Sequence, residues 1–335
     1  MFIESNNFPI RLLAGMLFIA TPLGVAAGEG VTADQVVSAL EDTFGVHPGE
    51  RRNHTKGTCA AGEFVGSPEM EAYTRAALFS GEPVPVVARF SMPGGNPKIP
   101  DTAKTPRGMA VEFRLADGSL QHMTMLNTPM FGAASPQTFF DDIVAKRPVP
   151  ATGKPDPEKI KTFKASHPDS WPQAEFLARH NPPPSWANSS YFGIHTFKFV
   201  DRAGKTTLVR WRFVPQDGEK QMSADELKSF PPDFLEQALI DRTERGPVHW
   251  DMLVTIGAAG DPVDDPTRLW PAGRKEIKAG TLTISSAMPQ KGAACEKINF
   301  DPLVMTEGIE PTNDPVLLFR SPAYAISFGK RMSGN

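Results

Sequence analysis

Arg320 and Tyr324 stand four residues apart in the run Pro315-Val-Leu-Leu-Phe-Arg-Ser-Pro-Ala-Tyr324. On a helix that spacing puts both side chains on one face. The helix has a firm start, because Asn313-Asp314-Pro315 supplies a capping Asp314 and a proline at the first helical position. A cation beside a phenol stabilises the phenolate and draws its pKa down from about 10. A phenolate can serve as an axial ligand of haem iron. Taken alone, an Arg and a Tyr at this spacing are more often a packing pair, and Pro322 between them should kink the helix.

A second group lies far upstream. His54 sits in the polar run Arg51-Arg52-Asn53-His54-Thr55-Lys56, and residues 84–92 (VPVVARFSM) read as a strand that puts Arg89 and Ser91 on one face. Asn127 follows an apolar run, in Leu126-Asn127-Thr128-Pro129. A histidine that moves a proton, a hydroxyl that holds its ring and an amide that orients a small polar substrate form a peroxide-handling set. Singly, each has an ordinary reading as a loop histidine, a core serine and a turn asparagine.

The elements that must position these groups are mostly strands. Residues 31–44 have helical periodicity, with Thr32 as cap and Gly45 as stop. Strand patterns follow at 84–92, 108–115, 120–126, 191–200, 205–214, 249–256 and 278–285, with Asp117-Gly118 as a hairpin turn. Residues 230–245 read as an amphipathic helix, and the Pro-rich stretch 146–190 as a surface excursion with a short helix near 171–180. Successive hairpins with helices before and after predict an α+β chain built on an antiparallel sheet or closed barrel.

With 35 basic and 38 acidic residues the net charge is −3, which excludes a charge-driven nucleic-acid binder. The 33 prolines and 28 glycines make the chain loop-rich, yet 40% hydrophobic residues, including 22 Phe, supply one large core. Arg11, the apolar residues 12–25 and the small residues Ala26 and Ala27 read as a secretory signal peptide spanning 1–27. The run is shorter than the roughly 20 residues that cross a bilayer. The mature chain, 28–335, is then a single exported domain with a periplasmic location and no membrane attachment. The two cysteines, Cys59 and Cys295, form no metal motif; in an oxidising compartment a disulfide is permitted, the alternative being two buried thiols.

Five ordered segments together resemble the catalase family, and within it the short catalase-related peroxidases. They are RRNHTKGTCAAGEF around His54, PVVARFSMPGG through TPRGMAVEFR, LNTPMF around Asn127, FGIHTFKFVD around His195, and NFDPLVMTEGIEPTNDPVLLFRSPAY ending at Tyr324. The resemblance implies an antiparallel eight-stranded β-barrel with surrounding helices and a buried haem b. It implies Tyr324 as the iron ligand, held as phenolate by Arg320 in a network with Asp314 and His195. It implies His54 and Asn127 on the distal side, Ser91 at the His54 ring, Arg51 and Arg89 on the haem propionates, and Phe131 against the haem. The activity implied is reduction of H2O2, extending to organic peroxides, by small organic electron donors through a ferryl intermediate, with weaker catalase activity. Shortness relative to typical catalases leads to the expectation of no NADPH site and a monomer or homodimer. Two rival readings are an allene oxide synthase-like hydroperoxide enzyme and a non-catalytic periplasmic haem-binding protein.

Overall fold

The structure is a computed structural model that describes residues 1–2 and 30–335; the predicted signal peptide falls almost wholly on residues 3–29 and lies outside the described residues. The folded unit is Val31–Asn335. Its strands are β1 (Gly57–Gly66), β2 (Pro83–Ser91), β3 (Gly108–Arg114), β4 (Leu120–Leu126), β5 (Tyr191–Phe192), β6 (Phe197–Val200), β7 (Thr206–Pro215), β8 (Val248–Ile256), β9 (Glu276–Pro289) and β10 (Ile309–Pro311). Its α-helices are α1 (Ala33–Phe44), α2 (Pro136–Ala145), α3 (Pro157–Ser166), α4 (Trp171–Arg179), α5 (Glu226–Ser229), α6 (Leu235–Glu244) and α7 (Pro315–Met332).

Antiparallel pairing runs β7-β5-β4-β3-β2-β1-β9-β8, and β8 pairs back onto β7, so eight strands close into a barrel. Alternation along each strand sends Val86, Ala88 and Phe90 of β2, Met109, Val111 and Phe113 of β3, and Met123 and Met125 of β4 into one buried cluster with Phe64, Phe213, Trp250 and Leu282. Phe64 meets Phe113 edge to face at 5.3 Å. Each Val, Leu, Met or Phe among them stabilises the fold by roughly 1.5–3 kcal/mol on full burial. The lumen is therefore filled, as in other small barrels. A ligand of any size must lie outside it.

The opposite faces of β2, β3 and β4 carry Arg89, Ser91, Ala110, Thr124 and Leu126 towards α1, α2 and α7. α1 begins with the expected cap, a reciprocal box between Thr32 and Gln35. α7 also starts as expected: Asp314 Oδ1 accepts from the Val316 and Leu317 N–H groups, and Pro315 takes the first position. The helix runs unbroken through Pro322.

Four departures from the sequence reading have physical causes. The strand expected over 191–200 is two, β5 and β6, which pair with β7 in registers that differ by two residues. At Gly193, where the run departs, a Cβ would come within 2.5 Å of the Trp211 indole nitrogen, so the backbone lies directly on that ring. The helix expected over 230–245 begins only at Leu235, because the buried Asp101 carboxylate accepts from the N–H groups of Phe234 and Leu235 at 2.8 and 2.9 Å. That cap comes from more than a hundred residues away. β1, rich in Gly and Ala, has little strand propensity of its own and is held by pairing on both edges, with β2 and β9. α2 and α3 were not expected at all; each opens on a proline preceded by a capping Ser135 or Asp156.

Cys59 and Cys295 form a disulfide with Cα atoms 5.6 Å apart. Among the described residues, no helix is long and apolar enough to cross a membrane.

Candidate active site

A cavity of about 580 Å³ lies between the outer face of β2–β4 and helices α1, α2 and α7. Its volume suits a cofactor or large ligand. Of the ten residues given a role in the sequence, eight line it, Arg51, His54, Arg89, Ser91, Phe131, His195, Arg320 and Tyr324, while Asp314 lies behind the wall. Asn127 stands one residue beyond the lining residue Leu126 and is not itself part of the wall. Its Oδ1 accepts from the Arg107 N–H at 2.7 Å. Its Nδ2 makes no hydrogen bond among the described residues and is free to donate.

His54 arrives on the loop before β1. Among the described residues it is the only non-glycine with positive φ, at 56°. Such a backbone persists where its surroundings impose it, and it clusters at functional sites. Here the His54 N–H donates to Asn53 Oδ1 at 2.9 Å, the same oxygen accepts from Gly94, and the His54 carbonyl accepts from Arg89 at 2.8 Å. The ring is held by Ser91, whose Oγ lies 2.9 Å from Nδ1. Burial, then the charges of Arg89, Arg320 and Arg51, push the His54 pKa down to about 3. The ring is neutral and able to accept a proton. Gly108, a position the sequence did not single out, completes this wall. A Cβ there would lie 2.9 Å from Ser91 Oγ and 3.0 Å from His54 Cε1.

On the helix side, Arg320 Nη2 donates to Tyr324 Oη and to Thr124 Oγ1, each at 2.7 Å. The phenolic oxygen thus receives a charged donor, which fixes its ring and leaves a lone pair for a further partner. Behind this pair, His195 Nδ1 meets Asp314 Oδ2 at 2.6 Å. Both are fully buried, and burial outweighs Asp314 to lower the His195 pKa. The ring is then neutral, with Nδ1–H donating and the Nε2 lone pair free; Nε2 is buried without a partner.

Three arginines gather at one side of the cavity. Arg51 Nη2 donates to the carbonyls of Cys295, Glu296 and Ile298, and Arg89 donates to Gln290 Oε1 and to the His54 and Thr55 carbonyls. Arg331 donates to the Ile298 carbonyl, while its Nη1 is buried without a partner. Among the described residues none of the three pairs with a carboxylate. Burial lowers all three pKa values, and their mutual repulsion lowers those of Arg51 and Arg89 further. Arg331 was missed in the sequence. Its signal was its place seven residues after Tyr324, two turns along the same helix face.

The family model described as Catalase matches residues 45–335. The chain belongs to the catalase family. It is 55% identical over 99% of both chains to a "Catalase-related peroxidase" of Synechococcus elongatus. It is 34% identical to another of that description from Mycolicibacterium paratuberculosis, over 89% of this chain and 94% of that one. Among solved structures, a bacterial catalase superposes with a TM-score of 0.78 at 26% identity, over 85% of this chain and 58% of that chain. Catalase A from Saccharomyces cerevisiae shares the fold at a TM-score of 0.80 and 23% identity, over 85% of this chain and 62% of that one. The chain thus spans about three fifths of the length of these solved catalases.

For a catalase-family chain the implied cofactor is haem, and the residues present fit one. Two kinds of group wait for a partner: a phenolic oxygen backed by a guanidinium, able to ligate iron, and an arginine cluster that lacks anions. Between them the apolar side chains of Val36, Phe131, Phe319 and Phe328 offer a surface for a flat apolar ring. Charge, ligand type and apolar wall all match a porphyrin bearing two carboxylates.

Proposed function

We propose that this protein is a haem b peroxidase that reduces H2O2 with small organic electron donors, with weaker catalase activity. Tyr324 would ligate the iron and Arg51, Arg89 and Arg331 the propionates. Bound there, ferric haem supplies the redox chemistry. The chain's own residues handle the proton and the substrate. Neutral His54, its ring held by Ser91, accepts a proton from the near oxygen of H2O2 and returns it to the far oxygen, which leaves as water. Asn127, with its Nδ2 free of partners among the described residues and just beyond the wall, would orient the peroxide, and Phe131, with Phe319 and Phe328, would pack on the haem.

What carries this reading is the convergence on one cavity of a His54–Ser91 pair from the barrel and an Arg320–Tyr324 pair from α7. A carrier has no need of the first pair. Export to the periplasm is supported by the apolar run 12–25 with its small-residue end and by the Cys59–Cys295 bond, which suits an oxidising compartment. Assembly as a monomer or homodimer belongs to the same proposal.

The test is rapid-mixing absorption spectroscopy of the haem-loaded chain with H2O2. His54→Ala should retain the haem band and slow its reaction with peroxide by about 10²- to 10⁴-fold. Tyr324→Phe should lose the phenolate-ligated spectrum. Reaction of His54→Ala at the wild-type rate would overturn the assignment, and wild-type haem protein inert to peroxide would make it a binding protein.

A further inference from the structure

The segment that follows β9, residues 290–298, supplies acceptors to Arg51, Arg89 and Arg331, the three arginines gathered at one side of the cavity. Gln290 Oε1 serves Arg89 at 2.6 and 3.1 Å, the carbonyls of Cys295, Glu296 and Ile298 serve Arg51, and Ile298 serves Arg331 as well. These acceptors are all neutral. They orient the guanidinium groups without cancelling their charge, which stays available to an anion.

Among the described residues the segment makes no strand pairing with the barrel: Gln290 Nε2 donates to the Thr55 carbonyl at 3.1 Å, and Ala293 and Ile298 pack with Cys59 and Val87. Its backbone bonds, Ala293 N–H to Gln290 O, Glu296 N–H to Ala293 O and Ile298 N–H to Cys295 O, close within it. Beyond its chain connection to β9, its covalent tie to the barrel is the Cys59–Cys295 disulfide. Cys59 sits directly opposite Arg89 in the β1–β2 register. Cys295 is the residue whose own carbonyl accepts from Arg51 at 2.9 Å. The bond is buried with Val87 and Phe300, and Phe300 lines the cavity.

We infer that the Cys59–Cys295 disulfide is a positioning device for the haem-anion site: it fixes the carbonyl cage that holds three mutually repelling arginines ready for the propionates. The inference rests on the proposed haem site. Without the bond, the carbonyls of residues 295–298 are held to the barrel by apolar packing alone, and the like charges have more room to spread. Preorganisation is lost and the anion binds less tightly.

The experiment compares haem release from wild type and from Cys59→Ala/Cys295→Ala into excess apomyoglobin. Wild type must first show a Tyr324-dependent haem band; its absence would be the failure of the proposed function, not of this inference. Release from the double variant should be about 10- to 100-fold faster, the range for groups that orient ligands from behind. An unchanged rate overturns the inference. In an Arg51→Ala background the cysteine substitutions should matter clearly less; an undiminished effect would mean general loosening and would also overturn it. If the double variant does not fold, folded wild type is treated with a dithiol, which is oxidised to its own disulfide as Cys59–Cys295 is reduced to two thiols. Release that accelerates in step with thiol appearance supports the inference, and release that stays constant as both thiols appear overturns it.

Discussion

Asp314 joins two parts of the site with one carboxylate: Oδ1 caps α7, and Oδ2 receives His195 Nδ1 at 2.6 Å. The break between β5 and β6 is thereby locked to the first turn of the helix that carries Arg320 and Tyr324. Asp314→Ala should lose a cap, about 1 kcal/mol, and strand a buried His195 donor, about 1–3 kcal/mol. Urea unfolding of the haem-free protein should therefore show a loss of roughly 2–4 kcal/mol. Asp314→Asn keeps the capping oxygen and should lose less. An Asp314→Ala loss no greater than that of Asn would show that the cap does not contribute.

The low pKa of His54 sets the sign of two pH effects. Unfolded histidine titrates near 6.5, whereas folded His54 titrates at about 3. Below about pH 6.5 the unfolded chain binds a proton that the native state refuses, so stability should fall as pH drops from there towards about 3. His195, also lowered, adds to the same trend. The peroxide step needs neutral His54, so its rate should be flat from about pH 8 to about pH 4. A rate inflection near 6.5 would contradict the buried, neutral ring.

Gly108→Ala places a methyl 2.9 Å from Ser91 Oγ and 3.0 Å from His54 Cε1. The backbone at Gly108 is not in the left-handed region, so alanine fits the strand and the strain falls on the ring. A misplacement of about 1 Å can cost on the order of 10²-fold, and the peroxide rate should fall by about that much with haem retention unchanged. Loss of haem instead of rate would place Gly108 in cofactor packing.

Arg331→Met should have opposite effects on the two states of the protein. Without haem it removes a buried cation with an unpartnered Nη1 from a repelling cluster, so the melting temperature should hold or rise. With haem it removes an anion partner, so the stabilisation given by haem should shrink. Melting curves with and without haem read both signs in one experiment. A fall without haem would mean that Arg331 is structural.

The chemistry was legible in the sequence wherever it depended on local spacing. Arg320 and Tyr324 four apart, the Asp314 cap, and Arg89 and Ser91 two apart on a strand each follow from helix or strand periodicity, and the hairpins foretold an antiparallel sheet or closed barrel, between which the family resemblance chose the barrel. Periodicity acts over a few residues, so it determines which side chains share a face. It has no reach over what that face meets. That Ser91 comes within 2.9 Å of a histidine thirty-seven residues away, that Asp101 caps a distant helix, that Gly108 must lack a side chain, and that residues 290–298 cage three arginines were decided by the packing of loops and helices on the closed barrel. Those contacts join segments whose separation in the chain carries no local signal. They exist because eight strands fill their own lumen and so force the cavity, and every charged group that lines it, onto the outer face.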